Sequence, residues 1–570
     1  MTPMNENLKI PFYPTEQSFS GWLLGLSMEQ DPTSCRRLLA ALQAFENSDL
    51  PPQQLLTFLP KIGAKLDVIV DRLERNYLDS GFPLSTEEQS AADLVSGAFT
   101  ALAEQYLALA RKWFELTGSE DASEKANVLY WSLEALGKSR LHRAKIYHPP
   151  APGFWLNCYR IYRWAENARL LNVVIAQDTT GESTINTAFK HILLFDLANP
   201  GQFRPREMKA IYHALEECAA SSLLEPDSAP SPLPQCTFNL GLDKRPQILF
   251  SPALPKSVDA DTRYFSSVPA ARDLHQLLKQ QVSSQNVLKW IYQSSFRRAL
   301  KSLSLTQRRK FNRKAEQLNK TCIVGFHHVV SYLFKTSPID WEEFIKKPKK
   351  DTRIAGNWEV PDLDLVPIEK GTTYQMNALF KKNTTDNSKI ADFLSANREI
   401  SSKNGIWDPI ELEQNRQMDL IPVGEVDILD SSAHGFQVLW KSPEVKVKVG
   451  EIVAFPTTKG DRIEIGLIRR ISHYPQGNLC LGIEIIGFES EVVGLGRPRQ
   501  SHSVHTAIFL PGIRALKQED SIIYNNCDFS TGEFIVIHRK KRTIPCRLEK
   551  LVNSTPAITR MELYYPPSSD

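Results

Sequence analysis

A chain of 570 residues is too long for one hydrophobic core, so roughly two to four domains are expected. At 42% hydrophobic and 23% charged, the composition excludes a globally disordered chain. The net charge of only +3 implies no polyanionic partner from the total, and local charge has to decide that question.

No run of about 18 apolar residues occurs, so no transmembrane helix is expected. Residues 1–14 lack a basic stretch followed by an apolar core, so no signal peptide is expected either. Eight cysteines are scattered without a CxxC pair, the usage of reduced thiols in a cytoplasmic protein rather than of a zinc ribbon or disulfide framework.

From Phe19 to Ser222 the pattern is helical. The clearest element begins at Ser85, whose hydroxyl caps while Glu88 reaches back. Leu94, Ala98, Phe99, Leu102, Tyr106, Leu109, Trp113 and Leu116 then recur at helical spacing, and Gly118 stands where a left-handed cap costs least. Pro226, Pro230, Pro232 and Pro234 mark a linker. Beyond it, Thr237–Leu242 and Ile248–Phe250 read as short strands, and Ala270–Lys279 and Val287–Leu303 as helices. Cys322–Phe326 reads as a strand continuing toward Tyr332–Phe334. Residues 335–419 are polar and are expected to be a largely mobile insertion. Strand signals then dominate: Glu425–Leu429, Gly435–Trp440, Val445–Phe455, Arg462–Ile471 and Leu479–Phe488, the spacing of a small closed barrel. Further short strands follow at Ala507–Leu510, Ser521–Tyr524, Phe534–His538 and Thr543–Arg547.

Two short motifs frame the insertion. Arg308, Arg309 and Arg313 form an RxxxR element ahead of a strand, and Asp430, Ser432 and Gly435 form DxSxxG at the end of another, with 116 residues intervening between Arg313 and Asp430. An arginine fork holds phosphate and stacks on a purine face. A carboxylate at Asp430 accepts from the N1–H and N2–H₂ edge of guanine, and Ser432 adds a hydroxyl. Gly435 lets the backbone turn and approach a base. Together they suit a ligand with two phosphates and two guanines. Lengthening a loop tenfold costs only about 2 kcal/mol of closure entropy, so a barrel tolerates the long interval.

At these residues the chain resembles the PilZ family of bacterial cyclic di-GMP receptors. The resemblance implies phosphate and guanine-face contacts for Arg308, Arg309 and Arg313, guanine-edge contacts for Asp430 and Ser432, and a six-stranded barrel split by the insertion. It is silent on residues 1–225. The expected architecture is multidomain α+β. An all-α helical domain (1–225) and a Pro-rich linker (226–235) lead to a mixed segment (236–306). A split PilZ-like barrel follows (307–334 and 420–500, around the insertion), then a small C-terminal β unit (501–570).

The expected function is that of a non-enzymatic cytoplasmic receptor, with cyclic di-GMP as ligand, no cofactor or metal, and an unidentified protein partner at the helical domain. The family implies outputs in motility, pili, surface attachment or biofilm. The chain carries no complete Walker loop, HExxH, GxSxG or GG[DE]EF signature. Two rivals stand beside this reading: a PilZ-like adaptor that has lost its nucleotide, and a nucleic-acid binder using the basic stretch 297–320, which includes Arg297, Arg298, Lys301, Lys310 and Lys320. His327-His328, placed on a strand, and His502 with His505 are read as structural rather than metal-binding. Arg469-Arg470 is read as an exposed strand charge.

Overall fold

A computed structural model describes residues 10–26, 31–46, 48, 50–115, 122–177, 181–225, 236–249, 259–282, 288–304, 314–336, 421–432, 434–456, 463–474, 477–498, 504–513, 518–525, 529–539 and 542–566. Eight helices open the chain: α1 (Glu16–Leu24), α2 (Asp31–Glu46), α3 (Pro52–Leu73), α4 (Thr86–Glu115), α5 (Ala122–Lys145), α6 (Phe154–Asn167), α7 (Ile185–Leu197) and α8 (Pro205–Cys218). The capping box expected at α4 is present. The Ser85 N–H donates to Glu88 Oε2 at 2.7 Å and the Glu88 N–H donates to Ser85 Oγ at 3.3 Å. Ala98, Phe99, Leu102, Tyr106, Leu109 and Trp113 of the periodic face are buried.

An ion cluster sits inside these helices. Lys145 Nζ lies 2.7 and 2.8 Å from the two oxygens of Glu74, and His142 Nδ1 lies 2.8 Å from Glu74 Oε1. All three residues are buried. Burial works to raise the Glu74 carboxyl, but Lys145 and His142 outweigh it and hold it down at about 2.

Between α6 and α7 lies a hairpin, β1 (Ile175–Gln177) with β2 (Gly181–Ser183). After α8 comes an antiparallel sheet in the order β3-β6-β4-β5, from β3 (Leu223–Glu225), β4 (Cys236–Asn239), β5 (Gln247–Ile248) and β6 (Thr262–Ser266). Residues 226–235, expected to be a linker, lie outside the described residues; in the chain they connect β3 to β4, both of which pair with β6. Helices α9 (Val268–Val282) and α10 (Leu288–Ser304) follow.

The first barrel is closed in the order β10-β11-β12-β9-β8-β7. Its strands are β7 (Lys314–Val324), β8 (Val423–Ser432), β9 (Gly435–Trp440), β10 (Ile452–Pro456), β11 (Ile463–His473) and β12 (Leu479–Gly487). Between β7 and β8 in sequence stands α11 (Phe326–Thr336). The strand expected to continue toward Tyr332–Phe334 ends instead at Gly325, whose φ of 93° turns the chain into a helix that starts with Val329 N–H donating to the Gly325 carbonyl. Apolar residues at 326, 329, 330 and 333 are buried at helical rather than alternating spacing, so His327 and His328 sit on a helix. Residues 337–420 of the expected insertion lie outside the described residues.

A second barrel closes in the order β13-β14-β15-β18-β17-β16. It uses β13 (Glu491–Gly496), β14 (His505–Leu510), β15 (Ser521–Tyr524), β16 (Phe534–Arg539), β17 (Arg542–Ser554) and β18 (Thr559–Tyr564). Its interior is filled by Leu495, Phe509, Ile522, Ile537, Leu548 and Met561, among others. The segment 491–496, expected within the first barrel, pairs with β14 and β16 of the second.

The chain divides into two compact units. One holds 1–324, 423–456 and 466–486, the other 325–422, 457–465 and 487–570. In the first unit a single apolar cluster runs from the helices into the first barrel, including Phe82, Tyr147, Val447, Val449 and Ile471. Phe82 and Val447 exchange backbone hydrogen bonds at 2.9 and 2.7 Å, and Arg204 Nε donates to the Val449 carbonyl at 2.8 Å.

Candidate functional site

The DxSxxG element is the corner where β8 turns into β9. Ser432 and Gly435 face each other across the hairpin. Ser432 Oγ donates to the Gly435 carbonyl at 3.2 Å and accepts from the His434 N–H at 3.4 Å. A hydroxyl serving both roles fastens a tight turn to itself. Gly435 lies opposite Glu484 of β12, and a Cβ there would sit 2.0 Å from the Ile483 carbonyl oxygen. Glycine is therefore demanded by the approach of β9 to β12, whatever binds outside.

Asp430 stands at a disturbed register. The β8–β9 pairing shifts between Ile428 and Asp430, and the β7–β8 pairing shifts between Ala315 and Leu318. Up to Ile428 the strand alternates, with Val426 and Ile428 buried; residues 429–432 are all partly exposed. Two bulges at one level end the in–out alternation and turn the carboxylate end of β8 outward, as bulges at barrel rims commonly do.

The start of β7 lies beside this corner. Lys314 pairs with Ser431 and Ala315 with Asp430. Arg308, Arg309 and Arg313 lie outside the described residues, but Arg313 is bonded to Lys314 in the chain. The polypeptide that carries RxxxR therefore enters the barrel at the residues of DxSxxG, although 116 residues separate the two motifs.

Two further side chains stand near the corner. Arg469 of β11 is ion-paired with Glu484, the residue opposite Gly435, so it is not the bare strand charge expected. Lys320 of β7 lies with Nζ 4.8 Å from the Phe436 ring centroid. Of the basic stretch 297–320, residues 305–313 lie outside the described residues, and not every charge of the described part faces outward. Arg298 is turned into the protein, its Nη2 3.0 and 2.9 Å from the two oxygens of Glu207 and its Nη1 donating to the Gln202 carbonyl at 2.6 Å. Among the described residues no group of three His, Cys, Asp or Glu side chains is placed to hold a metal; His502 lies outside them.

Comparison with known proteins gives matches along most of the chain. Three family models match in succession: the N-terminal domain of the cyclic-di-GMP receptor FimW at 17–228, its middle PilZ domain at 243–491, and its C-terminal β-barrel domain at 493–565. The middle match encloses both motifs and the interval between them. The chain is also similar to the cyclic-di-GMP receptor FimW of Pseudomonas aeruginosa, at 21% identity over 564 residues, covering 94% of this chain and 88% of that protein. With a helical domain, a PilZ barrel and a second β-barrel in this order, the chain belongs to the PilZ-containing FimW family.

Proposed function

We propose that this protein is a cyclic di-GMP receptor whose ligand site is the cleft between the segment entering β7 and the β8–β9 corner. The observation that carries this is the register: Lys314 against Ser431 and Ala315 against Asp430. In this reading Arg308, Arg309 and Arg313 take the phosphates and a guanine face, and Asp430 takes a guanine edge. Ser432 and Gly435 hold the corner in shape. The protein acts by binding rather than by bond-making, in the cytoplasm; no described helix is long and apolar enough to cross a membrane.

The relay we infer runs through α10. This helix ends at Ser304, just ahead of the RxxxR segment, and Arg298 fastens it to Glu207 of α8. Drawing the arginines onto the barrel changes the pull on α10, and through it the helical domain that meets a protein partner. A ligand drives such a change only as far as its affinity differs between the two poses.

Thermal melting with and without cyclic di-GMP tests the reading. A ligand at about a hundred times its dissociation constant adds about 2.7 kcal/mol, so the first transition should rise with cyclic di-GMP and not with cyclic di-AMP. An unchanged transition at high micromolar ligand would instead favour the adaptor that has lost its nucleotide.

A further inference from the structure

A second cavity, of about 540 Å³, opens where the helical domain meets β11 of the first barrel. It lies on residues 470–473 of β11, away from Asp430 and Ser432, and its walls include Pro149, Pro152 and Trp155. Such a volume suits a small organic ligand rather than a bare ion.

The polar groups of the cavity are unequally satisfied. Its two carboxylates are committed. Asp196 accepts from Arg245 at 2.9 and 3.1 Å, and Asp243 accepts from the Gly153 and Leu156 N–H groups at the start of α6, at 2.7 and 3.2 Å. The guanidinium of Arg140 is not so served. It is 7% exposed and stands 3.6 Å from Asp196; its Nε and Nη1 are shut off from solvent and have no hydrogen-bond partner among the described residues, so it carries positive charge just behind the cavity wall. A buried donor left unpaired is costly and calls for an explanation. Arg470 brings another guanidinium to the same cavity, its stem lying along Gly201. His148 and His473 meet there with ring centroids 4.0 Å apart and planes tilted by 52°. Burial lowers both imidazoles, His148 to about 4, so near neutral pH they add uncharged wall.

We propose that this cavity is a second ligand site, taking a small organic anion that carries a phosphate or carboxylate on an apolar or ring-shaped body. Arg470 holds the oxyanion, buried Arg140 adds positive charge behind the wall, and the proline, tryptophan and imidazole walls hold the body. Either head group satisfies a guanidinium fork.

Calorimetric titration of the full chain with guanosine 5′-monophosphate and with benzoate separates the two head groups. At least one should bind with a dissociation constant of about 1 mM or tighter. The binding should survive Asp430→Ala and weaken about tenfold or more in Arg470→Ala, which leaves cyclic di-GMP binding unchanged. Arg140→Lys should weaken it as well; because Arg140 is buried, a folding defect there would give the same readout, so Arg470→Ala carries the decision. The proposal is overturned if neither probe binds at about 10 mM, if Arg470→Ala binds as tightly as the parent, or if Asp430→Ala abolishes the signal.

Discussion

At Gly435 the missing side chain is a packing requirement. Gly435→Ala would drive a methyl group into the Ile483 carbonyl, so urea unfolding of the first unit should show a loss of about 1–3 kcal/mol. Ser432→Ala removes two hydrogen bonds of 3.2 and 3.4 Å and should cost no more than about 1 kcal/mol. If Gly435→Ala were neutral for folding and harmful only to ligand binding, the packing account of this glycine would be wrong. Two acids of the helical domain should respond oppositely to pH. Glu74, held down at about 2 against an ordinary 4.5, contributes stability that is present above pH 4.5 and lost as pH falls toward 2. Glu74→Gln strands the Lys145 ammonium in the interior, at a cost of about 3–5 kcal/mol. Glu134 is raised to about 7 by burial and by nearby Glu216, so its contribution is complete below pH 4.5 and is lost as pH rises through 7. Melting curves should show Glu134→Gln more stable than the parent at pH 8, with the gap closing toward pH 4.5.

Among the elements, those governed by local signals were legible. Ser85, Glu88 and the apolar steps from Ala98 to Trp113 announce α4 because capping and periodicity lie within one helix. The strands Gly435–Trp440 and Leu479–Phe488 were visible for the same reason. Helix α11 was misread because Tyr332, Leu333 and Phe334 form a short apolar run that suits either state, and only the positive φ of Gly325 and burial at 326, 329, 330 and 333 decide it. The sheet that brings Leu223–Glu225 against Thr262–Ser266 was not legible, because that pairing is a long-range fact. The two bulges beside Asp430 left no trace in composition, and neither did the cavity at Arg140, whose lining is drawn from four separated stretches of chain. The role of α10 is open to test: Arg298→Lys keeps the charge but loses the fork on Glu207. It should leave cyclic di-GMP affinity within about twofold while reducing the ligand-induced change in hydrogen exchange along α8. An α8 response as large as the parent's would argue that the signal travels by another route.

For the molecule as a whole, the organising fact is one pairing across a long interval. Strand β7 ends at Val324 and its partner β8 begins at Val423, yet the two run antiparallel along most of their length. The cost of holding such ends together grows only logarithmically with loop length, so the barrel closes with the start of β7 beside the β8–β9 corner. The helices, in turn, share one apolar cluster with this barrel. The most direct test is isothermal titration of cyclic di-GMP into the full chain and into the Arg313→Ala and Asp430→Ala variants. The cleft predicts saturable binding to the parent and at least about a tenfold loss, or 1.4 kcal/mol, in each variant, with unliganded melting unchanged and with Asp430→Ala also losing its preference for guanine over adenine dinucleotides. Parent-like affinity in both variants would show that the two motifs do not share a ligand.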